Sequence, residues 1–214
     1  MKKKIVFKII SFLLVISFSL FGGYIIIFKY IKHFGIHLST DRSIAPKNVR
    51  IYLQNSPEWN TLKLGNSNLS IGGYGCLLAV IASSMYELGY DYNLKELNKL
   101  FKQGNVYTSR GNIIWYKINN LFPKINYKYK RIFGSNTMER DLSNGLLPIV
   151  KVKYYQTGIF HWVLIVGSNE NGFLVIDPLK QDKKLINLSV HGKVYAYRVL
   201  IKNKKDAANS TQKE

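Results

Sequence analysis

Residues 161–178 have the sequence HWVLIVGSNENGFLVIDP, in which two apolar runs flank a polar turn. Runs of this kind, rich in β-branched residues and separated by Asn and Gly, predict a β-hairpin. His161 opens the first run and Asp177 ends the second. With a three-residue turn at 168–170, the two would pair directly and share one face of the sheet. A two-residue turn would place them on opposite faces, so a shared site predicts an odd number of turn residues.

The only cysteine of the chain, Cys76, stands between a glycine-rich segment at 72–75 and an apolar run at 77–82. This pattern predicts a loop that leads into the first turn of a buried helix. An isolated cysteine is more often an inert core residue, but the N–H groups and dipole at a helix start favour a thiolate. Together with the hairpin, the pattern predicts Cys76 as a nucleophile, His161 as its base and Asp177 as the residue that orients the base.

Other assignments of the base are weaker. His33 and His37 lie beside the N-terminal apolar segment, and His191 lies in a polar loop, so His191 is the only further alternative. Asp177 followed by Pro178 is by itself a common strand-ending turn.

Gln54 is the fourth candidate, because a side-chain amide there could stabilise an oxyanion together with the Cys76 backbone N–H. From the residues alone this is a weak indication, since Gln is common on surfaces. One cysteine and scattered histidines do not make a zinc-ligand pattern, so we expect no metal and no cofactor.

Helical patterns come first in the domain and strand patterns follow. The predicted helices cover residues 76–88, 93–102, 112–121 and 137–144, the second opened by a capping box at Asn93 and Glu96. The predicted strands cover 49–53, 125–130, 148–155, 161–167, 172–177 and 194–201. Helices followed by an antiparallel sheet predict an α+β fold.

The N-terminal segment is apolar enough to cross a membrane. The 20 residues from Ile9 to Phe28 carry no charge and would span about 30 Å as a helix. The excess of lysine before them favours an N-terminus inside and a domain outside. We therefore expect a signal anchor at 1–30, a linker at 31–48, an extracytoplasmic domain at 49–202 and a disordered tail at 203–214. A cleaved signal peptide, giving a secreted protein, is the alternative.

The formal net charge of +19 indicates attraction to anionic surfaces. An anionic cell-wall polymer is a possible partner, although a general bias towards Lys would give the same charge. No zinc spacing, aromatic RNA-binding motif or recognition-helix pattern is present, so we do not expect nucleic acid as a partner.

Four motifs resemble the papain-like cysteine peptidases of family thirty-nine, the bacteriocin-processing, double-glycine-leader peptidases and their stand-alone relatives. These motifs are Tyr52-Leu53-Gln54 followed by Trp59, Gly75-Cys76 at a helix start, the strand 161–167, and Asp177-Pro178. The resemblance covers residues 49–200 and implies a papain-like fold, in which a helix carrying Cys packs on an antiparallel sheet carrying His and Asp. It also implies the roles assigned above, with Gln54 as oxyanion-hole donor.

Two departures limit what the resemblance implies. Leu77-Leu78-Ala79 follow the cysteine, where relatives often have small hydroxyl or proline residues, so the floor of the site should be more apolar. The known processing members are fused to transporters, whereas this chain contains no transporter domain, and leader-peptide processing is therefore not implied.

The sequence thus predicts a membrane-anchored, extracytoplasmic thiol hydrolase, most simply a peptidase that acts on a peptide or protein substrate. One alternative is a non-catalytic papain-like module that binds peptide or cell wall through the same cleft. Another is a cell-wall amidase of the CHAP or NlpC type, which shares Cys-His chemistry.

Overall fold

The computed structural model describes residues 2–203, with side chains at residue 10 and from residue 12 onward. The predicted disordered tail lies outside the described residues except for Asn203. The helices are α1 Lys2–Phe34, α2 Ile71–Tyr74, α3 Cys76–Glu87, α4 Leu94–Gln103, α5 Trp115–Leu121 and α6 Ser135–Ser143. The strands are β1 Ile125–Tyr129, β2 Pro148–Lys153, β3 Phe160–Asn169, β4 Gly172–Ile176, β5 Ile186–Asn187 and β6 Val194–Lys202.

The strands form one antiparallel sheet in the order β1-β6-β2-β3-β4-β5. The mixed helix and antiparallel-sheet class predicted from the sequence is therefore confirmed. Residues 49–53 form no strand, which corrects that prediction, and instead lead into a turn stabilised by the Trp59 Nε1–H bond to the Leu53 carbonyl (2.8 Å). The third predicted helix begins at Trp115 rather than at residue 112, because Ile113 forms a β-bridge with Tyr107.

Helix α3 lies at the centre of the fold. Its residues from Leu78 to Met85 are all buried, and it packs against β3, as expected for a helix that is apolar on nearly every side. Gly75 separates α2 from α3, and a Cβ there would lie 2.5 Å from the Ile71 carbonyl oxygen. Glycine is therefore required before the cysteine, because the backbone of α2 lies very close to the start of α3.

The hairpin of β3 and β4 has a register different from the predicted one. Asn169 pairs with Gly172, which leaves a two-residue turn instead of three residues. The pairing then shifts by one residue between Ile165 and Gly167, where β3 contains a bulge. A bulge adds one residue to one strand and reverses which face the following side chains occupy. The bulge therefore restores the common face of His161 and Asp177 that the short turn alone would have removed.

The segment 35–48, treated as a linker in the sequence analysis, packs along the sheet. Ile36 forms a bridge with Val194 and Ile44 forms one with Ser168. The segment crosses directly over Gly167, where a Cβ would lie 2.7 Å from both the Ile44 oxygen and the Pro46 Cα atom. Only glycine leaves room for this backbone crossing.

Helix α1 is largely exposed along its length. Its portion from Phe12 to Phe34 is long and apolar enough to cross a membrane, a criterion that an N-terminal signal sequence also satisfies. Its last turn contacts the domain, since Ile31 is buried and α1 contacts β6.

We expect Gly167→Ala to destabilise the fold by about 1–3 kcal/mol, because the added methyl overpacks the crossing of segment 35–48 over β3. Thermal or chemical unfolding of the full-length chain in detergent measures the change. Gly134→Ala is the matched control, because a Cβ at Gly134 meets nothing within 4 Å. Equal stability of the two variants would contradict this account of Gly167.

Candidate active site

Cys76 is the first residue of α3 and is partly exposed. It lines a cavity of about 520 Å³, whose wall also includes Gln54, His161, Trp162 and Leu179. Three of the four residues singled out from the sequence therefore border one space. The fourth, Asp177, lies behind His161.

The imidazole of His161 is fixed by a buried carboxylate. His161 Nε2 and Asp177 Oδ1 are 2.7 Å apart, and the two residues are 3% and 2% exposed. Asp177 Oδ1 also accepts the Leu179 backbone N–H at 2.8 Å. Because Asp177 occupies Nε2, the other ring nitrogen, Nδ1, is the one left free, and His161 lines the same cavity as Cys76.

These contacts shift the pKa values of the pair in opposite directions. Burial by itself lowers the pKa of His161, but the hydrogen bonds and charges of Asp177 and Cys76 outweigh it and raise that pKa to about 9. Burial likewise favours the neutral form of Asp177, yet contacts with His161 and His191 hold the pKa of its carboxyl well below the usual range. Around neutral pH the His161 ring is therefore a cation paired with the Asp177 carboxylate.

A second histidine, His191, contacts the same carboxylate. Its Nε2 lies 3.4 Å from Asp177 Oδ2, and the residue is 1% exposed. The backbone N–H of Tyr155 donates to His191 Nδ1 at 3.1 Å. Since Nδ1 accepts a hydrogen bond, Nε2 is the ring nitrogen available as a donor, but it forms no hydrogen bond with a described residue. The sequence offered His191 only as an alternative base, whereas the structure places it on the far side of the carboxylate.

The loop between β2 and β3 covers both imidazoles. The ring of Tyr154 lies edge-on to His161 with centroids 5.3 Å apart, and Tyr155 lies edge-on to His191 at 5.0 Å. Tyr155 has φ 41° and Gln156 has φ 63°, left-handed conformations that are uncommon for residues with a side chain. This strained turn orients the Tyr155 backbone N–H towards His191 Nδ1. Nothing in the local sequence pattern indicated it.

Gln54 is 2% exposed, and its Nε2 donates to the Gly72 carbonyl at 2.8 Å. This bond uses one of the two amide hydrogens and fixes the side chain beside the cavity. The Gln54 backbone N–H donates to the Pro178 carbonyl at 3.0 Å. The glutamine is thereby tied both to the glycine segment before Cys76 and to the turn that follows Asp177.

The cavity also contains a polar group without a partner. The hydroxyl of Tyr107 is buried and forms no hydrogen bond with any described residue, and burial raises the pKa of Tyr107 above its ordinary value. Within the described part of the chain, no group of three His, Cys, Asp or Glu side chains is arranged to hold a metal ion.

The fold is similar to that of a crystal structure described as a C39-like peptidase from Bacillus anthracis. The TM-score is 0.50 at 11% sequence identity, and the match covers 76% of this chain and 99% of that chain. No family model matches the chain, and no curated protein matches it. The chain thus has a C39-like fold, which confirms the resemblance to family thirty-nine at the level of the fold.

The two pKa shifts predict how the contribution of the His161–Asp177 contact to folding stability changes with pH. The raised pKa of His161 stabilises the folded state fully below about pH 6.5, and this contribution is lost as the pH rises through about 9. The lowered pKa of Asp177 stabilises it above about pH 4, and this contribution is lost as the pH falls through the lowered value. The contact is therefore strongest between about pH 4 and 6.5.

We expect the difference in the free energy of unfolding between wild type and Asp177→Asn to be largest between about pH 4 and 6.5. This difference should shrink as the pH rises from about 6.5 to about 9. Unfolding of the full-length chain in detergent at stepped pH values measures it. Asp182→Asn, which removes an exposed carboxylate, should show no such window. A difference between wild type and Asp177→Asn that is constant with pH would contradict the ion pair.

Proposed function

We propose that the protein is a cysteine peptidase whose nucleophile, base and orienting carboxylate are Cys76, His161 and Asp177. The observation that carries the proposal is the buried 2.7 Å contact of His161 Nε2 with Asp177 Oδ1, in a ring that lines the same cavity as the only cysteine. Cys76 is partly exposed at that cavity, unlike a cysteine that only fills the core. The similarity of the fold to that of a C39-like peptidase supports the proposal that the protein is a peptidase.

In the proposed reaction, the Cys76 thiolate attacks the carbonyl carbon of a peptide bond and forms a C–S bond. Negative charge moves onto the carbonyl oxygen, where the second amide hydrogen of Gln54 and the Cys76 backbone N–H stabilise it. The intermediate collapses with cleavage of the C–N bond, and the His161 imidazolium gives its proton to the leaving amine.

Water completes the cycle. The now neutral His161 takes a proton from a water molecule, whose oxygen attacks the thioester carbon. The C–S bond breaks, the acid product leaves, and the thiolate–imidazolium pair is restored. Asp177 keeps its charge throughout and fixes which imidazole nitrogen carries the exchanged proton. The balance of the reaction is one amide and one water converted into one acid and one amine.

His191 has a positioning role in this scheme. Its Nε2 lies 3.4 Å from Asp177 Oδ2, the oxygen that His161 leaves free, without a hydrogen bond between the two atoms, so we propose that His191 positions the carboxylate through proximity and packing. We also propose that α1 anchors the protein in the membrane and that the domain lies outside the cytoplasm, where it meets peptide or protein substrates.

Because Cys76 is the only cysteine, the mass shift on alkylation reports on this residue alone. We expect iodoacetamide at pH 6 to modify wild type on the order of 10² times faster than His161→Ala, since an ordinary thiol with a pKa of about 8.5 is almost wholly protonated there. His37→Ala is the matched control and should react like wild type. Slow and equal rates in wild type and His161→Ala would sink the peptidase proposal and favour the non-catalytic binding module.

Cleavage is tested with a complex peptide mixture and mass spectrometry of the new termini. We expect Cys76→Ala to abolish cleavage and Gln54→Ala to lower kcat by about 10²–10³, the cost of one oxyanion donor. Gln103→Ala, an exposed glutamine of α4, should behave as wild type. Full activity of Gln54→Ala would remove the glutamine from the mechanism, and cleavage by Cys76→Ala would contradict the proposal as a whole.

A further inference from the structure

A second cavity, of about 570 Å³, lies between the end of α1 and the sheet. The strand pairing shows which side chains form the floor of this cavity. Arg198 pairs with Tyr129, and Lys151 pairs with Ala196. Since Ala196 and Arg198 are two residues apart on β6, these four side chains form a row on one face. The small side chain of Ala196 leaves the space in the middle of this row. Phe28 and the residues after it on α1 form the opposite wall.

The residues that line this basic cavity include many cations and, among those the structure describes, no acid. The basic members are Lys32, His33, Lys130, Arg131, Lys151 and Arg198. None of the Lys and Arg side chains among them forms an ion pair with a described residue. Several lie over aromatic rings instead. Lys151 Nζ is 3.7 Å from the centre of the Phe160 ring, and the Arg131 guanidinium is 5.3 Å from that of Phe28.

Two of the cations are held away from water. Burial lowers the pKa of Lys151, the charge on Cys76 raises it, and the nearby Lys32 lowers it again. Burial also lowers the pKa of Arg198. Partly buried cations that repel one another are stabilised by an anion, and since no acidic side chain lines this cavity, it is suited to an anion from outside the chain.

The position of the cavity indicates which anion. Its wall on α1 begins at Phe28, the last residue of the uncharged run, and continues through Lys32. In a helix that spans a bilayer, the end of the apolar run lies at the level of the lipid headgroups, where Lys, Arg and Tyr accumulate. Large apolar side chains beside the cavity are also exposed, among them Ile132 and Phe160. Exposed apolar residues interleaved with cations are typical of a surface that rests on an anionic membrane.

We propose that the basic cavity between α1 and the sheet binds the phosphate headgroup of an anionic phospholipid and thereby holds the domain against the membrane. Lys151 and Phe160 line both this cavity and the Cys76 cavity, so the bound lipid fixes the Cys76 cleft at the membrane surface. The acidic side chains of a peptide are the rival occupant. The lipid is favoured because α1 supplies a whole wall of the site. Lipid binding does not require Cys76 to react.

The test uses the full-length chain in detergent, titrated with phosphatidylglycerol or with phosphatidylcholine of the same acyl chains, and counts bound lipid by native mass spectrometry. We expect phosphatidylglycerol to bind at least about tenfold more tightly. Reversing two charges in Lys130→Glu/Arg131→Glu should abolish the preference, because each basic residue near anionic lipid contributes substantially to binding. Ala196→Leu should weaken binding by filling the cavity without a change in charge.

Lys99→Glu is the control for a charge reversal that does not touch the cavity, on an exposed position of α4, and should retain the preference. Equal binding of the two lipids, or the same loss in Lys99→Glu as in the double variant, would overturn the proposal. So would displacement of phosphatidylglycerol by millimolar inorganic phosphate or by a glutamate-rich peptide, which would assign the cavity to free phosphate or to acidic peptides. Because Cys76→Ser should bind lipid as wild type does, failure of lipid binding and failure of catalysis are separate results.

Discussion

The buried contact between His161 and Asp177 constrains much of the fold around it. Burying a carboxylate that is 2% exposed is costly unless polar groups compensate its charge. Here His161 and the Leu179 N–H donate to Oδ1, and His191 Nε2 lies 3.4 Å from Oδ2. Each of these three groups comes from a different part of the chain: β3, the turn after β4, and the 3₁₀ turn before β6. The carboxylate therefore fastens three segments of the chain together, and its charge keeps an imidazolium stable in the interior.

The same requirement explains the irregularities of the backbone. The bulge in β3 puts His161 and Asp177 on one face despite a two-residue turn. The left-handed residues at 155 and 156 direct an N–H towards the imidazole of His191. Bulges and strained turns of this kind concentrate at functional sites, where surrounding contacts compensate for their cost. Regular strands and turns would not have brought these groups together.

The sequence carries enough information for the elements and for the candidate residues, but not for their exact assembly. Helix α3 and the Asn93 capping box were predictable because apolar periodicity and caps are local signals. The hairpin was predictable, but its register was not, because a bulge depends on partners across the sheet. His191 was undervalued for a similar reason: its local surroundings are polar, and it becomes buried only when the 154–160 loop folds over it. Gln54 could be placed through the resemblance, while its anchor on Gly72 needed the structure.

The basic residues of the protein differ in whether an acidic residue lies beside them. Of its many cations, a few pair with surface carboxylates, and a group with no acid among them lines the cavity beside α1. Lys151 lines both that cavity and the Cys76 cavity, so the proposed lipid site and the proposed catalytic site share a wall. A cleft held in this position would meet substrates at the membrane surface.

The protonation state of His161 tests the central claim most directly. Nitrogen-15 NMR of the histidine-labelled full-length chain resolves its four imidazoles, and His161→Asn assigns the signal of interest. The account predicts that the His161 ring stays protonated up to about pH 9 and that Cys76→Ser lowers this value. Titration of His161 near its ordinary pKa of about 6.5, unchanged in Cys76→Ser, would contradict it.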